Sequence, residues 1–353
     1  MKKIIMSVLI LLNCFLITTF VLGCNPLREG KILITDMAGD EVYIDENPKK
    51  VAAVSPSTGD LMIAFGMGEY LDGTYYSVLD NSWAKEIYPT SIELFGYDYD
   101  TSVETFIVRD VDLIFIPEPT TARNLRKHGL NALCIRQFAE TGYDEYVFTF
   151  SNIVKQIWPV ETSEIVDYWQ NDFLTAVREV KKVLDDHEVD IRTLYYICGD
   201  KDRGLGYTDL GKSMLEYVFD ILKIDFICDR FETNRPSVEA VAKEDPDLVV
   251  IGGIYQRSLF ERIHKENVWK DLRAVNENNV YTIPLSFVSW EQTSAESSLF
   301  IYDIANKLYP NLFDFDIGEL TKQTLNKYFN YKINDQNLNY MLQGLDKNGQ
   351  WLI

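Results

Sequence analysis

Gly206-Tyr-Thr-Asp-Leu-Gly211-Lys212-Ser213 matches the nucleotide-binding pattern G-x-x-x-x-G-K-S, in which backbone N–H groups cradle phosphates and the lysine reaches the terminal one. Such a loop should leave its strand at once, yet seven residues, 199–205, separate it from the apolar run at 194–198. No convincing Walker-B aspartate follows, so an ATP-using P-loop hydrolase is a minor reading. Other catalytic patterns are weaker still. His128, His187 and His264 are scattered without neighbouring ligand patterns, which argues against a zinc site built from imidazoles. There is no G-x-S-x-G elbow and no H-E-x-x-H pair. The 54 acidic residues are too many for any two to stand out as glycosidase acids.

A second set of residues suits binding. Tyr75, Tyr76, Tyr207, Tyr255, Phe287 and Trp290 fall in loops that follow expected strands; Tyr97 and Tyr99 precede one short helix and Arg235 precedes another. In an open parallel sheet, ligands sit beyond the carboxyl ends of the strands. Aromatic rings supply contact area at low entropic cost, and an arginine supplies a fork of donors for carboxylate or catecholate oxygens. Any single tyrosine more readily fills a core, but as a set Tyr75, Tyr97, Tyr207, Arg235, Tyr255 and Trp290 are the candidate ligand contacts. The pattern requires no catalytic residue, no protein metal ligand and no cofactor.

The elements that must position these residues can be read from periodicity. Apolar runs at 51–54, 113–116, 194–198, 248–251 and 280–283 are each followed by Gly, Pro or Ser, as expected for buried strands of a mainly parallel sheet alternating with helices. Behind Pro159, Val166, Trp169, Phe173, Val177, Val180 and Leu184 recur in steps of three and four, which predicts one amphipathic helix over 161–187. With a domain-sized stretch on either side, that helix is expected to bridge two lobes. An internal repeat supports two lobes on one plan. Ser102-Val103-Glu104, Asp110, Asp112-Leu113 and the following apolar run align without a gap on Ser237-Val238-Glu239, Asp245, Asp247-Leu248 and the run after it. The expected fold is α/β, two doubly wound lobes joined by a single long helix.

The N-terminus reads as an export signal: Lys2 and Lys3 precede a mostly apolar run from residue 4 to 22 that ends Val21-Leu22-Gly23-Cys24. The small residue before a cysteine, in a run barely long enough to span a membrane, favours cleavage and lipidation at Cys24 over a retained helix. The domain plan is therefore 1–23 signal peptide, 24–30 linker, 31–160 N-terminal lobe, 161–188 interdomain helix and 189–353 C-terminal lobe with a helical tail. Loss of the signal takes two lysines and no acid, moving the formal charge from −20 to −22. A field of that sign repels nucleic acid and anionic lipid surfaces. Cys134, Cys198 and Cys228 remain in apolar contexts, as buried small hydrophobes or with one Cys198–Cys228 bridge.

At this point the chain resembles the substrate-binding lipoproteins of ABC importers for iron–siderophores, haem and cobalamin. Beside the repeat, the matching features are Asp36-Met-Ala-Gly39, Asn47-Pro48, Ser55-Pro56-Ser57, Phe65-Gly66-Met-Gly68, Trp269 with the run from Leu272 to Pro284, and Leu308-Tyr309-Pro310. Gly59-Asp60 departs from the usual Thr-Glu, and the 204–213 loop is unusually charged. The resemblance implies a monomer, lipid-tethered outside the cytoplasmic membrane, that captures an iron(III)–siderophore or similar chelate and delivers it to a permease and its ATPase. It also implies that Glu104 and Glu239 pair with permease arginines. Molybdate or tungstate, haem or cobalamin are the alternative ligands on the same fold, and an exported enzyme is the alternative of another class.

Overall fold

The computed structural model describes residues 30–136, 143–199, 204–208 and 214–350. The signal peptide and Cys24 lie outside these residues, as does the Gly211-Lys212-Ser213 end of the P-loop-like motif. A hairpin opens the described residues, β1 (Lys31–Thr35) antiparallel to β2 (Glu41–Asp45). Its turn is held by Asp36, whose Oδ1 accepts the N–H groups of Ala38 and Asp40 at 3.0 Å each, with Gly39 at φ +79°. Asp36 Oδ2 accepts from Cys134 N and from Arg126 Nη1, also at 3.0 Å. The Asp36-Met-Ala-Gly39 motif thus docks the hairpin onto the first lobe.

That lobe contains β3 (Val51–Ala53), β4 (Leu71–Tyr75), β5 (Phe95–Tyr97), β6 (Leu113–Ile116) and β7 (Ala132–Cys134), all parallel, in spatial order β5-β4-β3-β6-β7. The second lobe contains β8 (Arg192–Gly199), β9 (Ile224–Phe226), β10 (Leu248–Gly253) and β11 (Val280–Thr282), also parallel, in order β11-β10-β8-β9. Period-two alternation explains the unbroken apolar runs: Val51, Ala53, Leu113 and Phe115 enter one core while Ala52, Val54, Ile114 and Ile116 enter another with Phe106 and Leu125. Strands covered on both faces have no polar side.

The sequence repeat is also a structural one. Ser102 and Ser237 cap helices Val103–Arg109 and Val238–Glu244, each hydroxyl accepting an N–H at 3.2 Å, and both helices end on a left-handed aspartate, Asp110 or Asp245. The next aspartate pins the entry to the central strand of its lobe. Asp112 Oδ2 accepts Lys49 N and Lys50 N at 2.8 and 2.9 Å, and Asp247 Oδ2 accepts Thr193 N at 2.7 Å.

The long helix runs Pro159–Asp185, about 40 Å at 1.5 Å per residue, with proline at its first turn where no N–H is needed. Thr162, Val166, Trp169, Phe173, Ala176, Val180 and Leu184 are buried, so Ala176 takes the seam position that periodicity gave to Val177. The lobes touch elsewhere too. Asn81 Nδ2 donates to the carbonyls of Ser286 and Phe287 at 2.7 and 3.1 Å, Trp83 Nε1 donates to Leu345 O at 2.8 Å, and Lys347 pairs with Glu86 at 3.0 Å. Helix Ile317–Phe329 packs on helix Pro56–Ala64. Among the described residues Cys134, Cys198 and Cys228 form no disulfide; Cys134 and Cys228 are buried, and Cys198 is half-buried. The alternative Cys198–Cys228 bridge is not formed; Cys228 Sγ accepts instead from Tyr196 N and Thr208 Oγ1.

Candidate functional site

In each lobe the strand order reverses once, between β3 and β6 and between β8 and β10, and a cavity lies beyond the carboxyl ends of the strands at each reversal. The first, of about 190 Å³, is lined by Ser55, Ser57 and Thr58 at the start of helix Pro56–Ala64, by Pro117 after β6, by Arg136 after β7 and by Thr293. The second, of about 400 Å³, lies between the lobes. Tyr75, Tyr76, Ser77 and Asp80 form one wall; Cys198, Gly199, Gly253, Ile254 and Tyr255 form the other, with Gln292 between them. Ser57 Oγ donates to Gln292 Oε1 at 3.3 Å, so the segment 291–293 joins the two cavities into one cleft floor.

That floor is built to tight tolerances. A Cβ on Gly199 would lie 1.8 Å from Gly252 O, and one on Gly252 would lie 2.3 Å from Glu291 Oε1, so no larger residue fits at the switch point of the second lobe. Glu291 is buried beneath it; its Oε1 accepts Gly253 N at 2.6 Å and Tyr196 OH at 3.1 Å, and its other oxygen accepts from Ser289. Burial pushes its carboxyl above the usual range, against the pull of these donors.

The candidate contacts divide into three groups. Tyr75 and Tyr255 both line the larger cavity, one from each lobe. Tyr207 and Arg235 pair with each other, the guanidinium 5.6 Å from the ring centroid, and Asn234 Nδ2 donates to Tyr207 OH at 3.2 Å; neither residue lines the described cavities. Tyr97 and Trp290 are corrections. Both are 0% exposed. Tyr97 ends an edge strand with its ring stacked on Phe106 and its hydroxyl donating to Asp72, which also holds Arg109 in a two-pronged pair. Trp290 Nε1 donates to Ser286 Oγ at 3.0 Å inside the interlobe segment. Phe287, also expected at a strand end, is buried and stacks on Phe329. Residues that sequence reasoning passed over include Arg136, two positions past an apolar run too short to declare a strand, and Gln292, two residues beyond the candidate Trp290.

A second buried feature lies nearby. Asp60, in helix Pro56–Ala64, and Glu296, capping helix Ser297–Leu308, are both 0% exposed, and each has one oxygen, Asp60 Oδ1 and Glu296 Oε2, without a hydrogen-bond partner among the described residues. Asp60 Oδ2 accepts Ala295 N at 2.7 Å, and Glu296 Oε1 accepts from Ser286. Burial, and then the charge of Glu296, drives the Asp60 carboxyl far above its ordinary value; burial pushes Glu296 up to about 7. Both shifts favour the protonated form of the pair.

Glu104 and Glu239 are exposed in the first turns of the two repeat helices. The Glu104 backbone N–H and the Ser102 hydroxyl hold the Glu104 carboxyl below its usual range, so it carries a full charge. No helix among the described residues is long and apolar enough to cross a membrane.

No protein-family model matches the sequence. The chain is 20% identical over 297 residues to the uncharacterized ABC transporter substrate-binding lipoprotein YvrC of Bacillus subtilis (strain 168), covering 80% of this chain and 87% of that protein. Among solved structures it matches the molybdate periplasmic binding protein MolA of Haemophilus influenzae, bound to molybdate, with TM-score 0.72 and 15% identity over 86% of this chain and 99% of that one. It also matches the ABC-type Fe3+-hydroxamate transport system protein of Saccharomonospora viridis, with TM-score 0.61 and 16% identity over 78% and 98%. The chain has the two-lobed α/β fold of the periplasmic solute-binding proteins and resembles, in sequence, a substrate-binding lipoprotein of an ABC transporter.

Proposed function

We propose that the protein is the lipid-anchored substrate-binding component of an ABC importer and captures an iron(III)–siderophore or similar metal chelate for its permease and ATPase. The observation that carries this reading is the cleft itself: two parallel sheets aim their switch points at one interlobe space, Tyr75 on one wall and Tyr255 on the other. A largely pre-formed cleft rimmed with rings suits a rigid chelate. The Fe3+-hydroxamate function named for the Saccharomonospora viridis protein supports the same class.

A second reading, a bound oxyanion, is favoured by the smaller cavity, where Ser55, Ser57, Thr58 and Arg136 meet at the N-terminus of helix Pro56–Ala64 and where 190 Å³ would fit a tetrahedral anion. It agrees with the molybdate bound to MolA. Titration with ferric hydroxamates, ferric catecholates, haem, cobalamin and molybdate separates the two. The chelate reading expects intrinsic fluorescence to be quenched with sub-micromolar affinity, weakened at least tenfold in Tyr255→Ala. Quenching by energy transfer needs no contact with the buried Trp290. If no chelate quenches and molybdate alone raises the melting temperature, the oxyanion reading takes its place.

Anchoring has its own test. Cys24→Ala is expected to abolish metabolic labelling with palmitate and to leave the precursor uncleaved; unchanged labelling would remove the lipid anchor from the proposal.

A further inference from the structure

The two ends of the cleft differ in charge as well as in size. The smaller cavity carries Arg136, whereas the larger one is lined by three tyrosines, a thiol, backbone glycines and Asp80, with no lysine or arginine among the described residues that line it. The sequence adjoining that wall, Asp200-Lys201-Asp202-Arg203, has equal numbers of acids and bases. Tyr75 is the centre of a ring cluster, 4.8 Å from Tyr76 and stacked 4.6 Å from Tyr99, and the last two keep 46% and 39% of their surface exposed. Asp98 and Asp100 flank Tyr99 in sequence, and neither they nor Asp80 forms an ion pair among the described residues. Burial first, and then Tyr99, Tyr76 and Asp98, push the Tyr75 phenol well above its ordinary range, so its ring stays a neutral phenol.

Clustered electron-rich ring faces beside unpaired carboxylates are the chemistry that holds an organic cation. We infer that the tyrosine end of the cleft, Tyr75 and Tyr76 with Asp80, backed by Tyr99 stacked on Tyr75, takes a positively charged alkylammonium group carried by the ligand, and that the protein selects cationic over anionic ligands of equal shape. This rests on the reading of the cleft as a ligand site and adds to it the charge of the ligand. It also replaces the role given to Arg235, which is turned onto Tyr207 and would have favoured an anion.

The test uses one linear ferric trihydroxamate in three forms that differ only in the terminal group: free ammonium, N-acetyl and N-succinyl. Binding to the full protein is followed by fluorescence quenching. The cationic form is expected to bind at least tenfold more tightly than the anionic one, with the neutral form between them. Asp80→Asn and Tyr75→Leu should each bring that ratio within about threefold, while Tyr75→Phe, which keeps the ring face, should preserve it. Equal affinities, or tighter binding of the succinylated form, would overturn the inference while leaving the chelate reading intact. If none of the three binds, trihydroxamates drop out of the chelate reading, which then rests on the other chelates of the panel, and tetraethylammonium titrated by calorimetry decides the cation site. Saturable binding lost in Tyr75→Leu but kept in Tyr75→Phe upholds the site; no binding overturns it.

Discussion

Reversal of both Glu104 and Glu239 to lysine is expected to abolish uptake in cells while the purified protein keeps its ligand affinity within about threefold. The two carboxylates occupy equivalent positions, one per lobe, each in the first turn of a serine-capped helix that begins past the carboxyl edge of its sheet. The cleft opens on that same edge. A permease presenting two equivalent cationic sites could grip both at once, and like charges in their place would repel it at the distance of closest approach. Neither residue lines a described cavity. Comparison of cellular uptake with the affinity of the isolated protein gives the answer. Lost ligand affinity would move the glutamates into the cleft, and unimpaired uptake would reduce them to helix-start acids.

The second large effect concerns pH. Asp60 and Glu296 have raised pKa values in the folded state, so the folded chain holds protons that the unfolded chain has released. The contribution of such groups to stability is most favourable below the unfolded carboxyl value and is lost as pH rises toward the folded one. For Glu296 the window runs from about 4.5 to about 7 and the loss is roughly 3 kcal/mol at about 1.4 kcal/mol per pH unit. Glu296→Gln keeps an oxygen for Ser286 and cannot ionise. It should therefore raise the melting temperature at pH 8, change it little at pH 4.5, and flatten the profile between. Glu291 and Asp303, also raised by burial, leave a residual slope of the same sign. A Gln variant less stable than the parent at pH 8 would mean that the charged form of Glu296 is satisfied in the fold.

β3, β6, β8, β10, β11 and the long helix were legible because burial on both faces, or on one helical stripe, leaves a period that needs no tertiary context. The repeat was legible for a mechanical reason: Asp112 and Asp247 must each pin a central strand, and a serine must start each preceding helix. β4 was not, since Asp72 and Gly73 interrupt its apolar run; Asp72 is there to hold Arg109 and Tyr97, and Gly73 to let the backbone of Phe95 approach. The site was legible only in part. Proximity to a strand end singled out Tyr75 and Tyr255, which line the larger cavity, but it cannot tell the last residue of a strand from the first residue of a loop. On that difference Tyr97 enters the core and Arg136 reaches a cavity.

The hydrogen bond from Trp83 to Leu345 O and the pairing of Lys347 with Glu86 close a circuit: first lobe, long helix, second lobe, tail, and back to the first lobe. A ring deforms less readily than an open hinge, since opening one side must strain the other. On the importer reading proposed above, the isolated protein would hold a ligand with little breathing, and prising the jaws apart would be mechanical work done by the permease and its ATPase.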